Sequence, residues 1–451
     1  MSLKILSDAV ARYHKILESE RYRDLAWTDE LRQKMDEHHL VVGDRPVTPF
    51  LRPHFITKAQ YAHLVKASES LMSAIDRTKR LALSQPALLN RVALRPAEKM
   101  LAQIDPGYSS LAVSSMLDTH IHNGRLHFDA YSAETPAGVA HGEALAEVFY
   151  DMGPVKEFRK KHKLSKVSGA KFLLHAMLKA YKEYGGKRKP RIAILEFKQP
   201  FLTAETMEYQ SLAELFGKQG YQAEVVSVDQ LEYRNGVLRR GEFEIDLVYR
   251  RVRVMEFLVR FDLNHPLVRA YRERAVCMVN NFRGEVAQKK AMFDLLTDET
   301  VTAKFPAAER KAIAECIPWT RVVSNTKTMY QGKQIDLPEF IMKQRAKLVL
   351  KPNEEGSEFP EVRGAEVDDA RWHIAVKRAM AVPYVVQESV EPVVAPFPIR
   401  GYAGLDYRNM NIEVHPHSYL GKTHGCTTWL TTPSAGGFSS AGGLVPTYIL
   451  G

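Results

Sequence analysis

The chain has 451 residues, 45% of them hydrophobic and 26% charged, which suits a soluble globular protein of two or three domains. No apolar run approaches the roughly 18 residues of a bilayer span, and the N-terminus lacks the apolar core of a secretory signal. Three widely spaced cysteines, Cys277, Cys316 and Cys426, argue against a disulfide framework or a Cys-based zinc site and fit a reducing cytoplasm, while a net charge of +10, concentrated in 156–191 with little aromatic interleaving, reads as a basic face or a rim for anionic substrates rather than a nucleic-acid surface.

Residues 1–36 are charged and helical in pattern. Residues 57–83 form a second helix, capped by Thr57, with Tyr61, Leu64, Val65, Leu71, Met72 and Ile75 at helical spacing and Ser68 on the same face. Residues 86–104 are helical as well. Strands are expected at 109–117 and 125–131, joined by His122-Asn123-Gly124, where Asn-Gly signals a hairpin; 140–151 returns to helix. The middle alternates: strand 191–197, helix 204–218, strand 223–228, a βαβ unit that implies a parallel sheet. A hairpin tip at Tyr233–Val237 is followed by strands at 245–251 and 276–280 and a helix from about 286 to 297. The apolar run Val445–Leu450 reads as a closing strand.

Two later segments carry the chemistry. Lys347-Leu-Val-Leu-Lys-Pro-Asn353 is a buried strand that ends on Lys351 and is stopped by Pro352. Tyr384-Val-Val-Gln-Glu-Ser-Val390 is a β-branched run ending in Gln387 and Glu388. A lysine fixed at a strand end can meet phosphate oxygens, and an acidic strand end can meet a ribose. Standing alone, each segment reads more readily as a core strand with a polar end.

Four segments line up in order: 117–138, containing Leu117-Asp118, Gly124–Phe128 and Ala130–Gly138; Ile245–Arg251 with Val279–Arg283 and Lys289-Lys290; Val349–Asn353; and Val385–Glu388 with Gly436-Gly437 and Val445-Pro446-Thr447. Together they resemble the circularly permuted ATP-grasp family, whose relatives include glutathionylspermidine synthetase-like ligases, over roughly residues 50–450. The resemblance implies a mixed α/β fold. Residues 1–105 would be a helical N-terminal region, 106–155 the metal-type segment, 156–285 a parallel-sheet α/β domain and 286–451 the nucleotide clamp. It also implies ATP and Mg²⁺ as cofactors, an amino-acid or peptide-like substrate, and ligation through an acyl phosphate. By position, Lys351 and Lys289 or Lys290 would hold phosphates, Gln387 and Glu388 would frame adenine and ribose, and Arg250 and Arg251 would hold a substrate carboxylate. An ordinary surface ion pair explains the two arginines equally well.

The chain departs from that pattern at four places. Met116-Leu117-Asp118 stands where relatives read Arg-x-Asp, Ala130-Tyr131-Ser132 where they read Glu-x-Asn, and Trp429 where they carry an arginine. Gly356-Ser-Glu-Phe-Pro360 replaces a Gly-Gly phosphate loop. Asp118, Asp129 and Glu134 remain as carboxylates able to rebuild a metal site. Ile412-Glu-Val-His-Pro416 resembles the Glu-x-Asn-Pro metal motif of unpermuted members, though its position does not fit the permuted order. His120/His122 and His415/His417 are spaced to chelate from a strand, although chance pairs are expected among 16 histidines. The reading that follows is a degenerate member with an impaired metal shell, serving as a nucleotide-binding or partner subunit. An active carboxylate–amine ligase and a scaffold that binds no nucleotide are the alternatives.

Overall fold

The computed structural model describes residues 2–110, 112–122, 124–198, 203–433 and 442–451, the side chains of 2, 3, 122 and 204–206 excepted. Asn123 and the Gly436-Gly437 pair therefore lie outside the described residues. The expected N-terminal helices are Ser2–Leu17 and Trp27–Glu37. The long helix Lys58–Ser84 begins where the sequence signals it. Gln60 N–H donates to Thr57 Oγ1 at 3.2 Å, and Thr57 N–H donates to Gln60 Oε1 at 3.0 Å, a reciprocal cap. Its buried stripe includes Leu64, Ser68, Leu71, Met72 and Ile75.

Three sheets organise the rest. A parallel sheet runs Cys277–Val279, Leu247–Arg250, Ile192–Glu196, Ala223–Ser227, the last two joined through helix Ala204–Lys218. A small antiparallel sheet runs Thr320–Val322, Tyr384–Glu388, Leu348–Pro352, Val362–Arg363. A large antiparallel sheet joins chain segments far apart in sequence: Gly443–Val445, Lys422–Thr431, Leu405–Tyr419, Ser114–His122, Arg125–Ser132, with Val393–Arg400 also on the Leu405–Tyr419 strand. One face of this large sheet (Leu117, Phe128, Tyr131, Ile412, Val414, Leu430) forms a core with Leu71 and Ile75 of the long helix. The C-terminal Thr447–Leu450 pairs with His54–Thr57 and Leu164–Lys166, so the closing strand is present.

Three expected elements differ, one of them the helix over 86–104, which is two pieces, Pro86–Arg91 and Pro96–Gln103. The strand expected from 109 starts at Ser114, because the N–H groups of Val113 and Ser114 donate to Asn280 Oδ1 (2.9 and 3.0 Å) rather than to a neighbouring strand. The helix expected over 286–297 is two short pieces, Glu285–Gln288 and Ala291–Leu296. Asn353 takes the break between them: its backbone carbonyl accepts from Lys290 N–H at 3.1 Å and its side-chain oxygen from Ala291 N–H at 2.8 Å.

Candidate functional site

The second face of the large sheet is where the sequence-selected residues gather. Side chains alternate along a strand, and directly paired residues share a face. Met116 pairs with Ser132 and His417, Asp118 with Ala130, and Glu413 with Trp429. The register shifts between Asp118 and Thr119, a bulge beside Asp129. So the replaced positions Met116, Ala130, Ser132 and Trp429 all look toward the cleft that also holds Asp118, His415 and Glu413.

The cleft is a web of internal ion pairs. Lys351, 4% exposed, reaches from the small sheet and places Nζ 2.7 Å from Asp129 Oδ2. Burial works against the Asp129 carboxylate, but the Lys351 ammonium overrides it, with His120 beside it at 3.7 Å, and holds the carboxyl far below its ordinary range. Burial likewise opposes the Lys351 charge, and Asp129 more than restores it, so the lysine is held above its ordinary value. His415 lies between two acids, Nδ1 3.5 Å from Asp118 Oδ1 and Nε2 3.5 Å from Glu413 Oε2. Burial disfavours its protonation, yet Asp118 and Glu413 win and raise it. Burial also raises Asp118, against the pull of His415. His417 donates to or accepts from Thr427 Oγ1 at 3.1 Å, and burial pushes it down to about 3. The rings of His415 and His417 thus turn to different partners.

Lys289 and Lys290 take separate roles at the helix break. Lys289 is 1% exposed, its Nζ 3.0 Å from Glu98 Oε1 and 2.8 Å from Glu285 Oε1, with Glu354 also in contact. Those three carboxylates approach one another closely enough to hold a metal ion, but the ammonium of Lys289 stands in that position. Burial and the neighbouring Glu134 push Glu285 well above the carboxylate range. The Lys290 ammonium has no hydrogen-bond partner among the described residues, and its charge pulls on both Asp118 and Asp129.

The remaining sequence-selected residues are bound into the protein. Arg250, 1% exposed, donates to Glu134 Oε1 at 2.9 Å, to the Asn280 carbonyl at 3.1 Å and to the Val252 carbonyl. Glu134 also accepts from Val254 N–H at 2.8 Å, so its oxygens serve an interior ion pair rather than the cleft. Burial opposes the Glu134 charge, and Arg250 outweighs it to hold the group low. Arg251, 5% exposed, donates to the Pro136 carbonyl and lies over the Tyr209 ring at 5.2 Å. Both arginines pin the 134–136 turn to the parallel sheet. Gln387 turns into the small-sheet core, where Nε2 donates to Thr320 Oγ1 at 2.9 Å. Glu388 accepts from Tyr330 O–H at 2.8 Å and from Trp319 N–H at 3.3 Å. The sequence motifs passed over Glu98 and Glu354, which lie far from Lys289 in the chain, and Glu285, its i,i+4 neighbour. Glu355 was also passed over; it accepts from Gln288 Nε2 at 2.6 Å, and its charge raises Asp118.

A solved glutathione synthetase-like effector from Globodera pallida, in its apo form, superimposes on this chain with a TM-score of 0.61 at 12% identity, covering 94% of this chain and 96% of that one. The fold is ATP-grasp-like. A γ-glutamylcysteine synthetase-like protein from Methylobacillus flagellatus overlaps less, with a TM-score of 0.42 at 9% identity over 87% of each chain. No family model and no curated protein matches the sequence. Within this ATP-grasp-like fold the cleft lies between the small and large sheets, with Lys351 spanning it. No helix is long and apolar enough to cross a membrane among the described residues.

Proposed function

We propose that the protein is a circularly permuted ATP-grasp relative that binds a nucleotide weakly through an impaired metal and catalytic shell, acting as a nucleotide-binding or partner subunit. One observation carries this: the lysine expected to meet the phosphates, Lys351, is neutralised at 2.7 Å by the carboxylate expected to hold the metal, Asp129. Permutation is supported by the large sheet, in which 114–132 sits beside 405–419 from the other end of the chain. The clamp reading is supported by the pairing of Glu388 with Leu348, three residues from Lys351. That puts the acidic strand end about 10 Å from the lysine, a distance a nucleotide can bridge.

Magnesium is the ion this fold's chemistry implies, and it wants oxygen donors in octahedral array. The residues present do not fit it. Ala130 offers no oxygen and Ser132 a poor one, Asp129 is paired with Lys351, and Asp118 and Glu413 flank an imidazole.

MgATP at millimolar concentration is expected to raise the melting temperature by about 1 °C or less, and the rise should survive EDTA. A Kd near the ligand concentration gives only about 0.4 kcal/mol. No rise at any ATP concentration would favour a scaffold. A large rise that EDTA abolishes would favour the second reading, an active carboxylate–amine ligase. That reading has its own support: Asp129, Glu355 and Lys290 all act electrostatically on Asp118. Restoring Met116→Arg, Ala130→Glu and Ser132→Asn together should strengthen Mg²⁺-dependent ATP binding at least tenfold, measured by calorimetry with and without the metal. An unchanged affinity would mean that this face is not the metal face.

A further inference from the structure

On the reverse of the large sheet, between helix Lys58–Ser84 and helix Ala170–Tyr184, lies an open cavity of about 1070 Å³. It is separate from the cleft: Ser115 and Tyr131 line it, while their chain neighbours Met116 and Ser132 face the other way. Its carboxylates are already satisfied. Asp76 accepts from Arg80 Nε at 3.0 Å, Glu69 from Lys422 Nζ at 3.0 Å, Glu309 from Arg77 Nε at 3.0 Å and Glu183 from Ser109 N–H at 2.6 Å.

One cation in the lining is deeply buried. Lys79 is 1% exposed, and its ammonium makes no hydrogen bond among the described residues. The nearest acid, Asp76 Oδ1, is 3.9 Å away, and Asp76 is held by Arg80. The Tyr131 ring stands 5.8 Å off, too far for a strong cation–π contact. Burial accordingly lowers Lys79 to about 8. An ammonium has three donors to place, and a buried one without acceptors is costly. Lys66 and Lys179 add two further ammonium groups to the lining with no partner among the described residues.

We propose that this cavity is a second ligand site, taking a small organic anion whose carboxylate or phosphate group docks on the Lys79 ammonium. An oxyanion there would accept the three unused donors as charge-assisted hydrogen bonds, with Lys66 and Lys179 at the edge of the cavity adding attraction. Because the site lies behind the sheet, it is independent of the nucleotide cleft and of the reading given to that cleft.

The test is calorimetric titration of the full chain with succinate and, separately, with inorganic phosphate. At least one should bind with one-to-one stoichiometry; the tighter of the two identifies the anion class. Lys79→Met should weaken that binding at least tenfold, and Lys79→Arg, which keeps the charge, should stay within about threefold. The methionine removes a buried charge that makes no hydrogen bond among the described residues and keeps the volume, so its melting temperature should not fall. Saturating ATP should leave the anion affinity of the unmodified chain unchanged within twofold. Failure of both anions to bind, an unchanged affinity in Lys79→Met, or displacement by ATP would each overturn the proposal.

Discussion

Arg250→Ala is expected to destabilise the protein by about 3–5 kcal/mol, read from the urea midpoint of unfolding with the slope held constant. The side chain is 1% exposed and its guanidinium serves Glu134 and two backbone carbonyls at once. Removing it leaves a buried carboxylate beside a second one, Glu285, which is itself paired with Lys289. Neutralising Glu134 by protonation recovers part of the loss, which is why the cost stays near that range rather than at the full desolvation of an ion. Arg250→Lys should fall between, because an ammonium reaches Glu134 but cannot span the fork to the Asn280 carbonyl. A loss below about 1 kcal/mol would mean that the turn at 134–136 is held by other contacts.

Much of the fold was legible because its signals are local. The Thr57 cap, the 3.6-residue stripe through Leu64, Leu71 and Ile75, and the strand–helix–strand run from 191 to 228 each state their own conformation. The stretch 393–431 was not read as sheet, although it supplies three strands of the largest one. Its alternation is present, with Met410, Ile412 and Val414 buried at every second position. Yet the intervening asparagines, Glu413 and His415 are weak strand formers, and Pro416 argues against a central strand. Those polar residues tolerate the sheet because they face the cleft rather than a hydrophobic layer.

At the site, the sequence located the parts but not their pairing. Asp118, Asp129, Lys290 and Lys351 were all selected, and the fold brings them within electrostatic reach of one another. That Lys351 would be spent on Asp129 depends on a contact between residues 222 positions apart, to which no local pattern is sensitive. The same limit applies to Lys289 for Glu98 and Glu354, which come from distant segments, whereas Glu285 is its i,i+4 neighbour. Arg250 and Arg251 look like a substrate clamp in sequence because a strand-end arginine pair is the same string whether its face is open or buried. Burial alone decides, and it sends Arg250 to Glu134.

Asp129→Ala separates the two readings of the cleft more sharply than any other change. It strands the Lys351 ammonium at 4% exposure and should cost about 3–5 kcal/mol of stability. The cost has a defined pH window. Asp129 is depressed below its ordinary value of 3.8, so its contribution is full above that pH and fades as pH falls through the lower folded value. Lys351 is raised above its ordinary 10.5, so its contribution is full below that pH and fades as pH rises through the higher folded value. The difference between variant and parent should thus be flat from about pH 5 to 9 and shrink in acid. The same substitution frees Lys351 for phosphate oxygens. If the shell is impaired as proposed, ATP in EDTA should bind at least tenfold tighter to the variant, because one competing carboxylate has gone and no metal was lost. If Asp129 instead holds magnesium in a working ligase, MgATP should bind more weakly and any ligase turnover should vanish. The direction of the affinity change therefore tells whether that carboxylate opposes the nucleotide or helps to hold it.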